Sequence, residues 1–415
     1  MFKKIIETIF VKGLSSIINF LIVVITAYYL GKYARGEISI LLVSVSLINI
    51  IQGIVGGPSL IYLASKYSNL KLFIYSFIWN FLIALVFSFI IAFLDLTPFR
   101  LIEELFLISF LQGGISIFQS LLVGHEQISK HNLIEFSKSI FLIVSIGICF
   151  LLFNEKNLDA VYLSYVVSFS LAAIIGLLYI GKYLSFKNLK NNEKLFFEMF
   201  MYGFQNQINN FSQLLNYRYL FYLIEKWKGI EVLGVFSISI SIIESVWVIC
   251  KGISTNLLAK LVNEKDESMK TKYTLNSIKL SLFLSIIATS ILLIIPSDFY
   301  SFIFGKDFTE VKSHLLPLSI TILSFSVLAI ISQYYASKGQ LIINLRASFL
   351  GNIFCIGMGW FLIKSYSVHG AILTYNTVNL IMMFYLIYQF NKSTKTKIHH
   401  LLFNKSDFTA IRKKF

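Results

Sequence analysis

The sequence predicts an all-α polytopic membrane protein, with about 12 transmembrane helices in two six-helix lobes around a central cavity. Three observations lead to this fold class: the composition, the number of long apolar runs and an internal repeat. The chain has 415 residues, of which 56% are hydrophobic and 14% are charged, and its mean hydropathy is +0.75. Soluble domains are much less apolar, so most of the chain is predicted to be membrane helix.

Apolar runs of about 20 residues, long enough to cross a hydrocarbon core of about 30 Å, recur along the whole chain. The amino terminus, MFKKIIETIFVKG, is interpreted as an uncleaved first helix, because Glu7 and Lys12 interrupt the apolar core that a signal peptide needs. The predicted spans are 10–30, 37–62, 72–94, 101–123, 134–153, 158–180, 200–224, 232–257, 276–296, 314–336, 344–364 and 369–390.

Two echoes in the sequence indicate an internal repeat. GHEQISKHNL resembles SKGQLIINLR, which pairs Gln127 with Gln340, and RGEISILLVSVSL resembles LGVFSISISII, which pairs Gly36 with Gly234. Two halves in the same orientation are a transporter architecture. The predicted divisions are an N-terminal lobe 1–185, a cytoplasmic linker 186–198, a C-terminal lobe 199–392 and a basic cytoplasmic tail 393–415.

The formal charge of +15 is distributed as the positive-inside rule expects if both termini are cytoplasmic. The basic segments are interpreted as orientation signals facing anionic lipid, and an acidic partner or substrate is the alternative. Cys149, Cys250 and Cys355 fall in predicted spans without metal-type spacing, so neither a disulfide nor a metal site is expected. The histidines near span ends are interpreted as solvated or interfacial: His125, His131, His314 and His369.

Polar side chains are unusually dense in the seventh span, whose sequence is QNQINNFSQLLNYR over 205–218. At helical spacing these amides form one face, which predicts a wall of a hydrophilic cavity that binds sugar hydroxyls. The alternative is that the amides hydrogen-bond across helices and hold them together. The candidate sugar-binding residues of this and the first two spans are Gln205, Asn209, Ser212, Gln213, Asn216, Asn19, Asn49 and Gln52.

Charged residues inside predicted spans are costly and are therefore candidate functional residues. The cations Arg218, Lys251 and Lys12 outnumber the one central acid, Glu244, which favours an anionic ligand such as a diphosphate. Glu244 is the candidate for coupling to an ion. Arg218 can instead reach the headgroup region near Glu225, and structural pairing between helices is the alternative for the other charges.

Three segments resemble O-antigen and capsule polysaccharide flippases. The segment ITAYYLGKYARGEISILLVSVSLINII is similar to their first helix junction, with Leu30, Gly31 and Gly36 in place. NYRYLFYLIEKWKGIEVLGVFSISISI is similar to their seventh-to-eighth junction. The last helices, from GQLIINLRASFLGNIF onward, resemble theirs, including Gly339, Asn352 and the pair Gly370 and Ala371. This family belongs to one superfamily with multidrug and toxin extrusion antiporters and peptidoglycan lipid flippases.

The resemblance implies a flippase, not an enzyme, that moves an undecaprenyl-diphosphate-linked oligosaccharide from the cytoplasmic to the outer leaflet by alternating access. It implies that Arg218, Lys12 and Lys251 hold the diphosphate, and that the location is a bacterial inner membrane. The expected partners are the lipid-linked oligosaccharide, membrane lipids and other polysaccharide assembly proteins, without nucleic acid. No cofactor is expected apart from a coupling H⁺ or Na⁺. The alternatives are a multidrug/cation antiporter, a membrane glycosyl ligase or polymerase, and a non-transporting assembly scaffold.

Overall fold

Every regular element in the described part of the chain is helical. The computed structural model describes residues 2–64, 66–184 and 194–396, with side chains from residue 10 onward. Short 3₁₀ turns at Phe99–Leu101 and Lys306–Phe308 and a π-helical turn at Ile148–Leu152 extend or connect the α-helices. The α-helices are α1 Phe2–Gly56, α2 Pro58–Leu63, α3 Asn69–Phe93, α4 Ile102–Gly124, α5 Ile128–Gly147, α6 Leu158–Gly181, α7 Leu195–Lys228, α8 Ile230–Asn263, α9 Glu267–Ile294, α10 Ser297–Phe304, α11 Val311–Ser337 and α12 Leu341–Thr394.

Nine continuous helices within the described residues are long and apolar enough to cross a membrane. Two of them contain a break in the helical backbone, α1 at Gly31 and α12 at Ser367, and each holds two predicted spans. The helix α7 is not among the nine, because its amide-rich middle lowers its hydropathy. The chain is therefore an all-α, multi-pass membrane protein, as its composition predicts.

The internal repeat reappears in the turns between helices. Residues with positive φ, a conformation that is uncommon outside glycine, occur at matching places in the two halves. The backbone just before α5 also closely resembles the backbone just before α12. Gln127 has φ −86° and ψ 53°, and Gln340 has φ −89° and ψ 48°. The matching residues with positive φ are Gly31 and Gly229, Asp95 and Gly305, Glu126 and Gly339, and Asn154 and Ser367.

The described residues form two compact units. Unit 1 comprises Met1–Leu214, Gly229–Ser237 and Ile303–Asp307, so it includes the first part of α7 and the start of α8. In this unit α1 packs against α3, α4 and α5, and α6 packs against α4 and α5. The apolar core of unit 1 includes Leu105, Leu121 and Ile134.

Unit 2 comprises Leu215–Lys228, Ile238–Phe302 and Phe308–Phe415. Here α11 packs against α9 and α12 around a core that includes Tyr334, Tyr335 and Phe390. The predicted lobe boundaries remain predictions. Most of the predicted linker 186–198 and nearly all of the tail 393–415 lie outside the described residues.

A close crossing of α1 and α8 in unit 1 joins the two repeat-related glycines. A Cβ atom at Gly36 would lie 2.0 Å from the carbonyl oxygen of Ile230, and one at Gly234 would lie 1.9 Å from that of Lys32. Both glycines are therefore needed for the backbones to approach, as at other close crossings of membrane helices. The Nζ atom of Lys32 lies 3.0 Å from Oε2 of Glu231 at the same crossing.

Candidate functional site

The strongest candidate site in unit 2 is an ion pair that joins α7 to α8. The Nη2 atom of Arg218 lies 2.8 Å from Oε1 and 3.0 Å from Oε2 of Glu244. The two side chains are 28% and 30% exposed, so they are accessible to a ligand without being on an open surface. The two residues that the sequence singled out separately, as anion ligand and as coupling acid, are direct partners.

Aromatic residues lie next to this ion pair in space or in sequence. The guanidinium carbon of Arg218 lies 5.1 Å from the ring centroid of Phe221. Next to it in sequence, the Tyr217 ring lies 5.4 Å from the Trp247 ring, which is one turn along α8 from Glu244. Trp247 stacks on Phe325 at 4.0 Å. An apolar environment of this kind strengthens the attraction between the two charges.

Two buried polar atoms near the ion pair have no hydrogen-bond partner among the described residues. They are Nε1 of Trp247 and the hydroxyl oxygen of Tyr375, on rings whose centroids are 6.3 Å apart. Both residues are almost completely buried. A buried donor without a partner costs free energy, so these groups are available to a polar ligand that reaches the pair.

The other two predicted diphosphate ligands are lysines with exposed side chains. Lys251 is exposed on α8, two turns beyond Glu244, and Lys12 is exposed on α1 in unit 1. Their assignment to a phosphate site remains a prediction.

The predicted amide stripe of α7 changes from exposed to buried along the helix. Gln205 and Gln213 are exposed, Asn209 is half-buried and Ser212 is buried. Asn19, on α1, is likewise exposed. The role of these side chains as sugar ligands remains a prediction.

Three predicted sugar ligands instead make contacts between helices. Asn216 donates from Nδ2 to the backbone oxygen and to the hydroxyl oxygen of Ser348 on α12, both at 3.0 Å. Gln52 donates to the backbone oxygen of Ser109 at 3.2 Å, and Asn49 accepts from the hydroxyl of Ser116 at 3.4 Å. Such bonds correspond to the alternative, open from the sequence, that some amides hold helices together.

A second charged network, in unit 1, was missed by the sequence reasoning. Glu135 and Lys138 on α5 form an ion pair of 3.1 Å, flanked by Gln112 and Gln119 of α4. The fifth span was predicted from residue 134, but α5 begins at Ile128, so both charges lie two to three turns inside the helix. The spacing His131, Glu135, Lys138 was the available signal, because these positions share one helix face.

The histidines do not all have the solvated or interfacial positions expected of them. His314 on α11 is buried, and its Nδ1 atom lies 3.0 Å from the hydroxyl oxygen of Ser239. His369 is exposed, with its ring 6.3 Å from that of His314. His314 is buried because it lies in the first turn of α11, on the side of that helix that faces the interior of unit 2. Within the described residues, no cluster of three or more His, Cys, Asp or Glu side chains is arranged to hold a metal ion.

Sequence comparison identifies the family. Residues 1–255 match the family described as polysaccharide biosynthesis protein. The chain belongs to the polysaccharide biosynthesis protein family. No curated protein matches this family member by sequence.

Solved structures show which fold this member of the polysaccharide biosynthesis protein family has. A multidrug resistance MATE family transporter of the MOP superfamily, in an inward-facing conformation, is similar with a TM-score of 0.73 and 11% identity, over 92% of this chain and 96% of the other. The MATE multidrug transporter DinF-BH, in a ligand complex, gives 0.67 and 14%, over 97% and 96%. The lipid II flippase MurJ, in an inward closed conformation, gives 0.67 and 16%, over 95% and 89%. The family member thus has the fold of these transporters, and the predicted fold class is confirmed.

Proposed function

We propose that the protein is a flippase that moves an undecaprenyl-diphosphate-linked oligosaccharide, an O-antigen or capsule repeat unit, from the cytoplasmic to the outer leaflet by alternating access. The proposed location is the inner membrane of a bacterium, with both termini in the cytoplasm. The family match and the fold shared with a lipid II flippase support a lipid-linked substrate.

The observation that carries the proposal is the ion pair of Arg218 and Glu244. A carboxylate and a phosphate present similar pairs of oxygen atoms to a guanidinium group, and arginine binds both through charge-assisted hydrogen bonds. The Glu244 carboxylate is therefore proposed to stand in for a phosphate oxygen pair at Arg218. In the proposed cycle, an anionic headgroup replaces Glu244 as the partner of Arg218.

The exchange also gives Glu244 a role. Two charges at about 3 Å attract each other by roughly 5 kcal/mol at an effective dielectric constant of 20, and this attraction opposes substrate binding. Protonation of Glu244 removes it, so proton binding by Glu244 and headgroup binding by Arg218 favour each other. Glu244 therefore remains the proposed ion-coupling residue in unit 2.

The remaining predicted ligands are proposed to contribute to substrate binding. Gln205, Asn209 and Gln213 are proposed to meet sugar hydroxyls, because amides both donate and accept hydrogen bonds. Lys12 and Lys251 are proposed to attract the diphosphate from their exposed positions. Other polysaccharide assembly proteins are proposed as partners, without a specific surface.

A second candidate function is a multidrug/cation antiporter. The observation that favours it is a carboxylate, Glu244, close to the stacked rings of Trp247 and Phe325, because aromatic faces and acids together bind organic cations. The fold is shared with a MATE multidrug transporter in a ligand complex. Against it, the acid is already paired with Arg218, which would repel a cation.

One assay separates the candidates. Proteoliposomes that contain the purified chain are given fluorescent lipid-linked oligosaccharide, and its movement to the other leaflet is measured with and without a proton or sodium gradient. The flippase proposal predicts movement by the wild type, loss in Arg218→Ala and partial retention in Arg218→Lys. Lys265→Ala, an exposed cation in the turn before α9, is the matched control and should behave as wild type.

Export of a cationic dye without movement of the lipid-linked sugar would favour the antiporter instead. A change in glycan chain length without translocation would indicate a ligase or polymerase. Unimpaired transport by the Arg218→Ala variant would contradict the role given to the ion pair.

A further inference from the structure

The charged network of unit 1 is enclosed by hydrogen bonds from two helices. Nζ of Lys138 lies 3.1 Å from Oε1 and 3.3 Å from Oε2 of Glu135. Gln119 donates from Nε2 to Oε2 of Glu135 at 3.2 Å. Lys138 also donates to Oε1 of Gln112 at 3.4 Å. Both oxygens of the carboxylate are thus bonded, and the ammonium already has a second, neutral acceptor.

This network lies inside helices that are apolar enough to cross a membrane. The side chain of Lys138 is 15% exposed and that of Glu135 is 34% exposed. Nζ of Lys138 lies 5.4 Å from the ring centroid of Phe169 on α6. An embedded ion pair usually adds little to the stability of a protein, because well-packed apolar residues at the same positions stabilise it at least as much. Ionisable residues inside membrane spans more often mark proton or ion pathways.

His131 extends the network toward the start of α5. It lies four residues before Glu135, about 6 Å along the helix axis, and its Nδ1 atom is buried without a hydrogen-bond partner among the described residues. Gln119 links the two levels, because its Nε2 atom also lies 3.5 Å from the backbone oxygen of His131. An imidazole followed one turn later by a carboxylate is the arrangement of a short proton relay.

The charged groups that face the relay come from two helices. On α5 they are His131, Glu135 and Lys138, and on α1 the ammonium of Lys12 acts electrostatically on His131. The side chains of α4 that contact the network are neutral amides, and α6 contributes the ring of Phe169. Glu135 is the acid among these groups, so its protonation is the event that changes the charge balance.

We propose that Glu135 is a proton-binding carboxylate of the transport cycle, reached through His131, and that its protonation releases Lys138 to an anionic ligand. The ligand class rests on the proposed function, whereas the proton site does not. His131, whose ring is half-buried, takes up a proton from water and passes a proton to an oxygen of Glu135, with an N–H bond of the imidazolium breaking. An O–H bond forms, the ion pair to Lys138 breaks, and the imidazole returns to its neutral form.

The neighbouring groups can accommodate Lys138 both when Glu135 is ionised and when it is protonated. After protonation Lys138 keeps the Oε1 atom of Gln112 and the face of Phe169, so the ammonium is not left bare. The network has then gained one positive charge, which favours an anion such as a phosphate. By linkage, proton binding at Glu135 and anion binding near Lys138 strengthen each other.

The proton site is tested without transport by infrared difference spectroscopy of the purified full-length protein between alkaline and acidic buffer. A protonated-carboxyl band is expected in the wild type, reduced in Glu135→Gln and present in Glu135→Asp. Glu155→Gln, an exposed acid in the turn after α5, is the matched control and should keep the buried-carboxyl band. His131→Gln should keep the band but slow its appearance after a pH jump. An unchanged band in Glu135→Gln would overturn the assignment.

The coupling is tested in proteoliposomes with lipid-linked oligosaccharide as the probe. The wild type is expected to transport faster with a proton gradient. Glu135→Gln is expected to respond less to the gradient than the wild type does, because Glu244 is then the remaining proton-binding carboxylate. If the double variant Glu135→Gln/Lys138→Gln regains the response to the gradient, the pair is only structural and the coupling is refuted. If the wild type does not transport, the proposed function fails, while the infrared band still decides the proton site.

Discussion

The crossing of α1 and α8 gives a prediction that is set by atomic distances. A Cβ atom at Gly234 would lie 1.9 Å from the backbone oxygen of Lys32, and 2.8 Å from its carbonyl carbon. Ordinary contact begins at 3.4 Å, so Gly234→Ala requires the two backbones to part by about 1.5 Å at this point, because neither backbone atom can rotate away. Overpacking of this kind costs about 1–3 kcal/mol.

The higher helix propensity of alanine than of glycine stabilises the folded state by at most about 1 kcal/mol. Gly234→Ala should therefore lower the free energy of unfolding, and Gly36→Ala should do the same, because its Cβ atom would lie 2.0 Å from the oxygen of Ile230. Gly252 on the same helix is the matched control, since a Cβ atom there has nothing within 4 Å. Gly252→Ala should be neutral or raise stability by about 0.4–1 kcal/mol.

The assay is denaturant unfolding in detergent micelles, followed by tryptophan fluorescence, with the three variants measured in parallel. A loss of stability is expected for the two crossing glycines and no loss for Gly252→Ala. If Gly234→Ala were as stable as the wild type, or if all three variants lost the same free energy of unfolding, the close contact of α1 and α8 at these glycines would be refuted.

Three further perturbations test other contacts. Arg218→Ala and Glu244→Ala should each lower stability, because each leaves one partly buried charge unpaired, and the double variant should lose less stability than the sum of the two single losses. Additive losses would contradict the ion pair. Asn216→Leu should lower stability, because its amide donates to α12, and unchanged thermal unfolding would argue against that contact. Asp266 accepts a hydrogen bond from the backbone N–H of Ser268 at the start of α9, which lowers the pKa of this carboxyl. The stability that Asp266 gives to the helix start is fully present above the unfolded pKa of about 3.9 and is lost as the pH falls through the lower folded pKa. Hydrogen exchange in the first turn of α9 should become faster over this pH range in the wild type. The Asp266→Ala variant should not show this change.

The fold could be predicted largely from the sequence, because lipid allows few solutions for the backbone. Apolar runs of membrane length define the helices, and the repeat follows from glycines that occupy equivalent turns, such as Gly31 and Gly229. The similar backbone angles of Gln127 and Gln340 show that this short sequence match marks two structurally equivalent turns. Helix ends were predicted less well, because polar residues continue a helix beyond its apolar run, as at the start of α5.

The candidate site was predicted only in part, because periodicity places a side chain on a face without naming its partner. Arg218 and Glu244 were identified as embedded charges, but their spacing of 26 residues across two helices gives no sign that they touch. Asn216 and Gln52 lie on polar faces as expected, yet each bonds to a neighbouring helix. Glu135 lies at the start of the predicted span 134–153, where a charge is normally solvated, so its partners on α4 could not be predicted.

The most direct test of the central claim is the affinity of the purified protein for a diphosphate-linked sugar lipid, compared with the same lipid without phosphate. In the proposed cycle Glu244 competes with phosphate for Arg218, so Glu244→Gln should bind the diphosphate lipid more tightly than the wild type does. Arg218→Ala should bind it less tightly, and all three proteins should bind the lipid without phosphate with the same affinity. Equal affinities of wild type, Glu244→Gln and Arg218→Ala for the diphosphate lipid would contradict the account.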